Sequence, residues 1–426
     1  MKLYITILLL CCLNLYQPLQ AQVFDDFFVD KSMRFDYFRC GNSESESIYF
    51  DKIKEEPYWG GSKTNLIDKF DYGNHRFRII DAESGILIYS RGYCSLFKEW
   101  QATEEAQNTS KCYAEGVHFP YPQKTVKIAL DSRDKNGEWV QQFEYTIQPD
   151  SYTIQKFTPV GEPFDVIVNG DSHHSVDIAL IAEGYTASER KEFEAACQYF
   201  AEQMFTFSPY KENKQKFNIR GIWIASPESG VTIPGKNRWI NTALSAKFNT
   251  LGSERYQMID NLQIVKDIAA SAPYDIIYVL TNTDKYGGGG IYNFYGISSA
   301  QQTSSTGKVY IHEFGHLFAG LGDEYVGGTE MNEFYPLHVE PWEANLTTLI
   351  DFDKKVWKKL LKKGTPVPTP AKDSNLDKVG VYEGGGYMQK NIYRPYIHCL
   401  MNHFNVDYFC PVCSKAIVDM IDFHCK

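Results

Sequence analysis

Apolar and polar residues alternate through the first third of the chain, and the rhythm changes after it. Val126, Ile128 and Leu130 are separated by polar residues, and Phe143, Tyr145 and Ile147 repeat the pattern. A period of two belongs to strands with one buried face. Asn136-Gly137 between the two runs is a hairpin signal, since both residues tolerate positive φ. Residues 76–89 hold further strand-like runs, so residues 22–155 read as an N-terminal β-sandwich. Pro149, Pro159, Gly161, Pro163 and Gly170 punctuate the join that follows, with residues 156–172 as the linker.

Beyond the linker, residues 176–182 form an almost unbroken apolar run, which suits a strand covered on both faces. Gly184-Tyr185-Thr186 then leads into a helix. Thr186 and Glu189 make a capping box, and Phe193, Cys197, Phe200 and Met204 follow at helical spacing. The pattern predicts a strand over 217–225, a helix over 255–270 and a strand over 274–281. Residues 173–426 therefore read as an α/β domain around a mixed twisted sheet, and the whole as a two-domain α+β/α/β chain. The glycine run 287–290 lacks the Lys-Ser/Thr of a phosphate loop. It reads as a surface rim or as an edge strand beside bound peptide. Six lysines interleaved with Val356, Trp357, Leu360 and Leu361 predict an amphipathic helix with a solvated basic face.

Aromatic residues make up 15% of the chain, enough to fill two cores and to argue against disorder. The net charge of −10 leaves no basic field for nucleic acid. Lys2 followed by the apolar run to Leu13, with a cleavage site after Ala21, reads as a secretory signal peptide over residues 1–21. That run is short for a membrane span, and Cys11 and Cys12 lack the small residue that a lipidation site prefers before them. An exported protein, secreted or periplasmic or at the cell surface, is expected. After removal of the leader eight cysteines remain, four of them late in the chain: Cys399, Cys410, Cys413 and Cys425. Disulfides or buried thiols are the preferred reading, ahead of a structural metal on those four thiolates and of redox work.

The chemistry concentrates in His312-Glu313-Phe314-Gly315-His316. On a helix, residues four apart share a face, so two imidazoles can reach one ion while Glu313 stands beside it as a general base. Ile311, Phe314, Leu317, Phe318 and Leu321 make the helix largely buried, where unpartnered His and Glu are costly. Gly320 and Gly322 then stop the helix, and Asp323 and Glu324 follow. A turn that delivers a carboxylate supplies a third metal ligand. In the metzincin pattern the glycine and third ligand stand at the eighth and eleventh positions; here both features fall one residue later, at Gly320 and Asp323. Asp323 is the first choice as ligand, Glu324 the next, and Glu330 or Glu333 the more distant alternatives. Met401 is a candidate apolar floor beneath the histidines. His398, His403, Tyr387, Tyr393 and Tyr408 lie in the same region as candidate oxyanion donors, with His403 and Tyr408 preferred.

The run from His312 to Tyr325 resembles the IgA-peptidase family of zinc metallopeptidases. Tyr393-Arg394-Pro395, Cys399-Leu400-Met401 and Phe409-Cys410-Pro411-Val412-Cys413 are similar to that family too, as are Glu183-Gly184-Tyr185-Thr186 and Met33-Arg34-Phe35-Asp36-Tyr37. The resemblance implies an N-terminal β-domain joined to a metzincin-like catalytic domain with one zinc ion. It carries zinc ligation to His312 and His316 and the base to Glu313, with Asp323 as third ligand. The expected activity is that of a zinc endopeptidase on protein or peptide substrates. The alternatives are a hydrolase of cell-wall peptide or another amide, and a surface glycan- or protein-binding module on a silent peptidase fold. An intact Glu313 argues against the silent fold, because a scaffold has no need of a base.

Overall fold

The computed structural model describes residues 23–301, 303–327 and 335–426. A short helix α1 (Phe24–Phe27) leads into β1 (Phe28–Gly41) and β2 (Glu46–Glu56). Strands β3 (His75–Asp81) and β4 (Leu87–Tyr93) follow, then helices α2 (Leu96–Gln101) and α3 (Glu104–Asn108). Strands β5 (Lys111–Pro122), β6 (Val126–Arg133), β7 (Trp139–Ile147) and β8 (Gln155–Lys156) complete this half. They form two four-stranded sheets, ordered β5-β1-β2-β8 and β4-β3-β6-β7. β3 buries every second residue, including Phe77 and Ile79. Phe35 of β1 meets Tyr145 and Phe143 of β7 with ring centroids 5.6 and 6.2 Å apart, so side chains of the two sheets share one apolar cluster. A disulfide joins Cys40 to Cys112, directly opposite each other on β1 and β5. The other six cysteines after residue 22 are free thiols.

Within the join, β9 (Glu162–Ile167) pairs antiparallel with β11 and so edges the second half's main sheet. That sheet continues with β10 (Val176–Glu183), helix α4 (Arg190–Met204), β11 (Phe217–Trp223), helix α5 (Leu262–Ala269), β12 (Ile276–Thr281), β13 (Gly288–Ile291) and β14 (Tyr295–Ser299). Its order is β13-β14-β12-β10-β11-β9: the inner strands run parallel, and β13 and β9 are antiparallel edges. All eight residues of β10 are buried, as expected of a strand covered on both faces. The capping box forms, with the Glu189 carboxylate accepting from the Thr186 N–H at 2.7 Å. The predicted helix over 255–270 is shorter. The Asn261 side chain caps its start, and the stretch before it bridges to Lys247 and Gly288 instead. The lysine-rich stretch is not an amphipathic α-helix: Phe352–Lys354 and Val356–Leu360 are 3-10 turns on either side of an extended Lys355. The Lys355 ammonium is turned inward onto the carbonyls of Pro341 and Glu343, and buried Trp357 donates to the Gly380 carbonyl. These tertiary partners win over helical spacing.

Helix α6 (Ser304–Ala319) packs on β13, β14 and α4. Thr303 caps its start, and Gly320 ends it in the left-handed conformation at φ 58°. β15 (Tyr382–Gly385) and β16 (Met388–Arg394) form a separate hairpin, and α7 (Pro411–Cys425) closes the chain. The two halves are tied by buried charge. Arg34 of β1 holds Asp36 and Glu56 at 2.8 and 2.9 Å and reaches Asp267 on α5. Segment 94–106 packs its apolar side chains into the core of the second half.

Two consequences can be measured. His75 is fully enclosed and His118 half-buried, and burial, with Arg39 or Lys266 adding to it, holds each ring well below the usual histidine pKa. The folded state keeps them neutral, whereas the unfolded chain protonates them near pH 6.5. Each ring therefore contributes stability that is full above pH 6.5 and falls with acid by about 1.4 kcal/mol per pH unit. In His75→Gln the urea midpoint should fall less steeply from pH 6.5 to 5.5 than in the wild type; an unchanged slope would refute the assignment. The second concerns Gly290 on β13. A Cβ there would lie 2.3 Å from the Glu313 carbonyl oxygen, backbone against backbone. Gly290→Ala should cost about 1–3 kcal/mol, read as a lower urea midpoint.

Candidate active site

Helix α6 sets the geometry. Tyr310, Ile311, Phe314, Leu317 and Phe318 bury its far side and fix its rotation. His312 and His316 emerge one turn apart, their ring centroids 4.7 Å apart and their planes nearly perpendicular. Gly320 turns the chain back, and the Leu321 N–H closes on the Gly315 carbonyl. Asp323 arrives opposite the rings. Its Oδ1 lies 3.1 Å from His312 Nε2 and 3.3 Å from His316 Nε2, and the two Nε2 atoms are 3.1 Å apart.

The far sides of the rings decide what these atoms are. His312 Nδ1 sits 3.1 Å from the Leu400 carbonyl oxygen and His316 Nδ1 2.5 Å from that of Leu321. A carbonyl only accepts, so each neutral ring carries its proton on Nδ1 and presents a lone pair at Nε2. Asp323 Oδ1 is buried and takes no hydrogen bond, although both rings are close. Three electron-rich atoms thus face one another at 3.1–3.3 Å. Donors 2.0–2.1 Å from a tetrahedral ion stand about 3.3 Å apart, so this triangle fits a metal. The same point also attracts a proton, which a bound metal would displace. Burial disfavours charge on His316, but the Asp323 carboxylate outweighs it and lifts the ring to about 9. Burial likewise pushes the Asp323 carboxyl up, and the two histidines outweigh it and hold it well below the usual range.

Glu313 stands beside the triad in a half-buried position. Burial raises its pKa, against the pull of His312 and His316. Its backbone touches β13, so the helix and the edge strand share one wall. Met401 is wholly buried against the other side of α6, its sulfur 3.0 Å from where a Gly315 Cβ would stand. The Met401 carbonyl accepts from the Glu324 N–H at 2.8 Å, which anchors the loop that bears Asp323. Tyr387, at φ 65° in the β15–β16 turn, donates its hydroxyl to Asp323 Oδ2, and the Tyr325 hydroxyl stands 3.4 Å from that of Tyr387.

His312, Glu313, His316 and Asp323 all open onto a cleft of 1960 Å³. Of the two candidate acids after the helix, only Asp323 faces the histidines. Glu324 is wholly buried on the opposite side, against the thiol of Cys413. Glu330 and Glu333 lie outside the described residues. Among the candidate donors, His403 lines the cleft with its Nε2 3.0 Å from His398 Nδ1, whereas Tyr408 is not part of that lining. Tyr387 is the one brought to the triad. Sequence reasoning missed Glu99 of α2, which enters the cleft from the N-terminal half and accepts from Tyr256 at 2.5 Å. Burial lifts its pKa to about 7, against the Tyr256 hydrogen bond. No motif marks Glu99; only the docking of segment 94–106 puts it there.

Comparison with known families accounts for most of the chain. The family described as IgA Peptidase M64 matches residues 165–379 and 371–421, and that described as Peptidase M64 N-terminus matches residues 23–144. No curated protein matches. Two family models that together span both halves, and a metal-fitting triad within the larger match, lead to one conclusion: the chain belongs to the IgA peptidase M64 family of metallopeptidases, with an N-terminal domain and a peptidase domain.

Proposed function

We propose that this chain is an exported zinc endopeptidase that hydrolyses peptide bonds of proteins. In this reading His312, His316 and Asp323 hold the ion and Glu313 is the general base. The convergence of two Nε2 atoms and Asp323 Oδ1 on one point carries it, because among the described residues no other side chain or backbone group offers those atoms a donor. A zinc ion bound there supplies Lewis acidity, both toward water and toward a scissile carbonyl. Glu313 then takes the proton from the attacking water and passes it to the leaving amine. Its raised proton affinity suits a group that must hold a proton between the two steps. Leu400 and Leu321 fix the tautomers, and Tyr387 holds the second oxygen of Asp323.

The edge strand supports a peptide substrate. Residues 287–291 line the cleft beside Glu313, and β13 is the last strand of its sheet. Gly288 is already bridged by Tyr256, so an extended peptide would add along the remainder of the edge, which places a backbone carbonyl near the triad. The Cys40–Cys112 disulfide supports export, as does the leader over residues 1–21, which lies outside the described residues. Among the described residues no helix is long and apolar enough to cross a membrane. The sandwich and metzincin-like readings of the two domains belong to the same proposal. They are supported by the paired sheets and by Met401 beneath α6.

Glu313→Gln should retain bound metal and lose at least about 10²-fold in kcat on a casein-type substrate. Wild-type turnover in that variant would remove Glu313 from the base role. Asp323→Ala should lose the metal at this site together with activity, read by elemental analysis after dialysis. Full metal retention there would reject Asp323 as ligand. A metal-replete wild type that cleaves no peptide on a broad panel would favour the silent binding module.

A further inference from the structure

Outside the histidine triad, one cluster of ligand-type side chains among the described residues stands unexplained. Cys399, Cys410, Cys413 and Glu324 bring three sulfurs and a carboxylate oxygen within 4.8 Å of one another, and all four residues are wholly buried. The segments come from three parts of the peptidase domain: the loop after α6, the stretch after β16, and the start of α7. The three cysteines are buried free thiols, as the preferred reading allows, and the four-thiolate alternative does not form: Cys425 lies away from the group, beside the Lys216 carbonyl, and Glu324 takes the fourth place.

The bonding inside the cluster is what a ligand set needs. Cys410 caps α7, and the Cys413 N–H points at its sulfur at 3.5 Å. The Cys410 N–H points at the Cys399 sulfur at 3.2 Å. Backbone N–H groups at a helix start favour thiolate over thiol. Glu324 Oε1 is held by Asn345 and by Cys413, both at 3.0 Å, while Oε2 is buried without a partner. A carboxylate oxygen sealed beside three sulfurs with no donor is costly. The Arg394 guanidinium, half-buried nearby, offsets part of the negative charge. A disulfide is a poor solution here. Joining any two of the three sulfurs would still leave Glu324 Oε2 without a donor.

We propose that Glu324, Cys399, Cys410 and Cys413 form a second, structural metal site that takes zinc. Four protein donors close the coordination shell, and three soft sulfurs select zinc over the hard cations. Sulfurs about 2.3 Å from a tetrahedral ion stand about 3.8 Å apart, within the observed spread. Binding displaces the thiol protons to solvent. The site is separate from the hydrolytic one, yet it ties down that site's supports. Glu324 adjoins Asp323, and Cys399 adjoins Leu400, whose carbonyl orients His312. A structural ion here would hold the third ligand and the first histidine in register.

The two sites can be tested apart in the full mature chain. His312→Ala/His316→Ala removes the triad and leaves the cysteine cluster intact. Purified without chelator, that variant should hold about one equivalent of zinc, released by a mercurial that titrates thiolates. Reconstituted with Co2+, it should show the intense near-ultraviolet absorption of thiolate-to-cobalt charge transfer. Cys413→Ser in the same background should lose that band, and Glu324→Gln should shift it. If the histidine variant binds no metal, if the band survives Cys413→Ser, or if peptide mapping finds a disulfide among the three cysteines, the second site is overturned. None of these outcomes bears on whether the triad hydrolyses peptides.

Discussion

Two imidazole lone pairs and a carboxylate oxygen pressed together inside a protein repel one another unless a positive charge sits between them. The chain accepts this arrangement at His312, His316 and Asp323, and much of the peptidase domain exists to maintain it. Each ring is locked by a carbonyl on its far side, so neither can turn to donate to the other or to Asp323. The Tyr387 hydroxyl occupies Asp323 Oδ2, leaving Oδ1 as the atom that faces inward. Relief by turning a ring is blocked, and what remains is a positive charge between the three atoms, a proton or a metal ion.

The supports come from distant parts of the chain. α6 is clamped between the edge strand β13 and α4, with Met401 pressed against Gly315 from another side. Glycine is required where β13 meets the helix, since a side chain at Gly290 would strike the Glu313 backbone. The loop bearing Asp323 is stitched to the β15–β16 turn, with Gly386 donating to the Asp323 carbonyl at 2.7 Å and Tyr387 to that of Tyr325 at 3.0 Å. Its next residue, Glu324, is drawn the other way into the cysteine cluster. Neighbours in an extended segment point to opposite sides. A single dipeptide thereby serves two centres, and the pull on one acid helps to seat the other.

The N-terminal domain is part of this construction. Arg34 reaches Asp267 on α5, and segment 94–106 lends its apolar residues to the peptidase core. That docking carries Glu99 into the cleft, close enough to interact with His316 and Glu313. The cleft therefore draws its lining from both halves, and its polar character does not follow from the HExxH helix alone.

Local spacing determined a good deal by itself. The i, i+4 histidines, the glutamate between them, the glycine stop at Gly320 and the period-two strands β6 and β7 all follow from backbone geometry within a few residues. Such geometry is set by chain chemistry before any long-range contact forms. Other features were decided only by packing. Asp323 and Glu324 are adjacent acids; spacing put Asp323 first but left Glu324 open, and the Met401 carbonyl and the thiols decide which of them faces the histidines. The fourth member of the cysteine cluster is a glutamate far away in sequence rather than Cys425. The lysine-rich stretch gave up its helix because Lys355 found carbonyls inside the fold. In each case competing local options were close in free energy, and one tertiary hydrogen bond or buried charge was enough to choose between them.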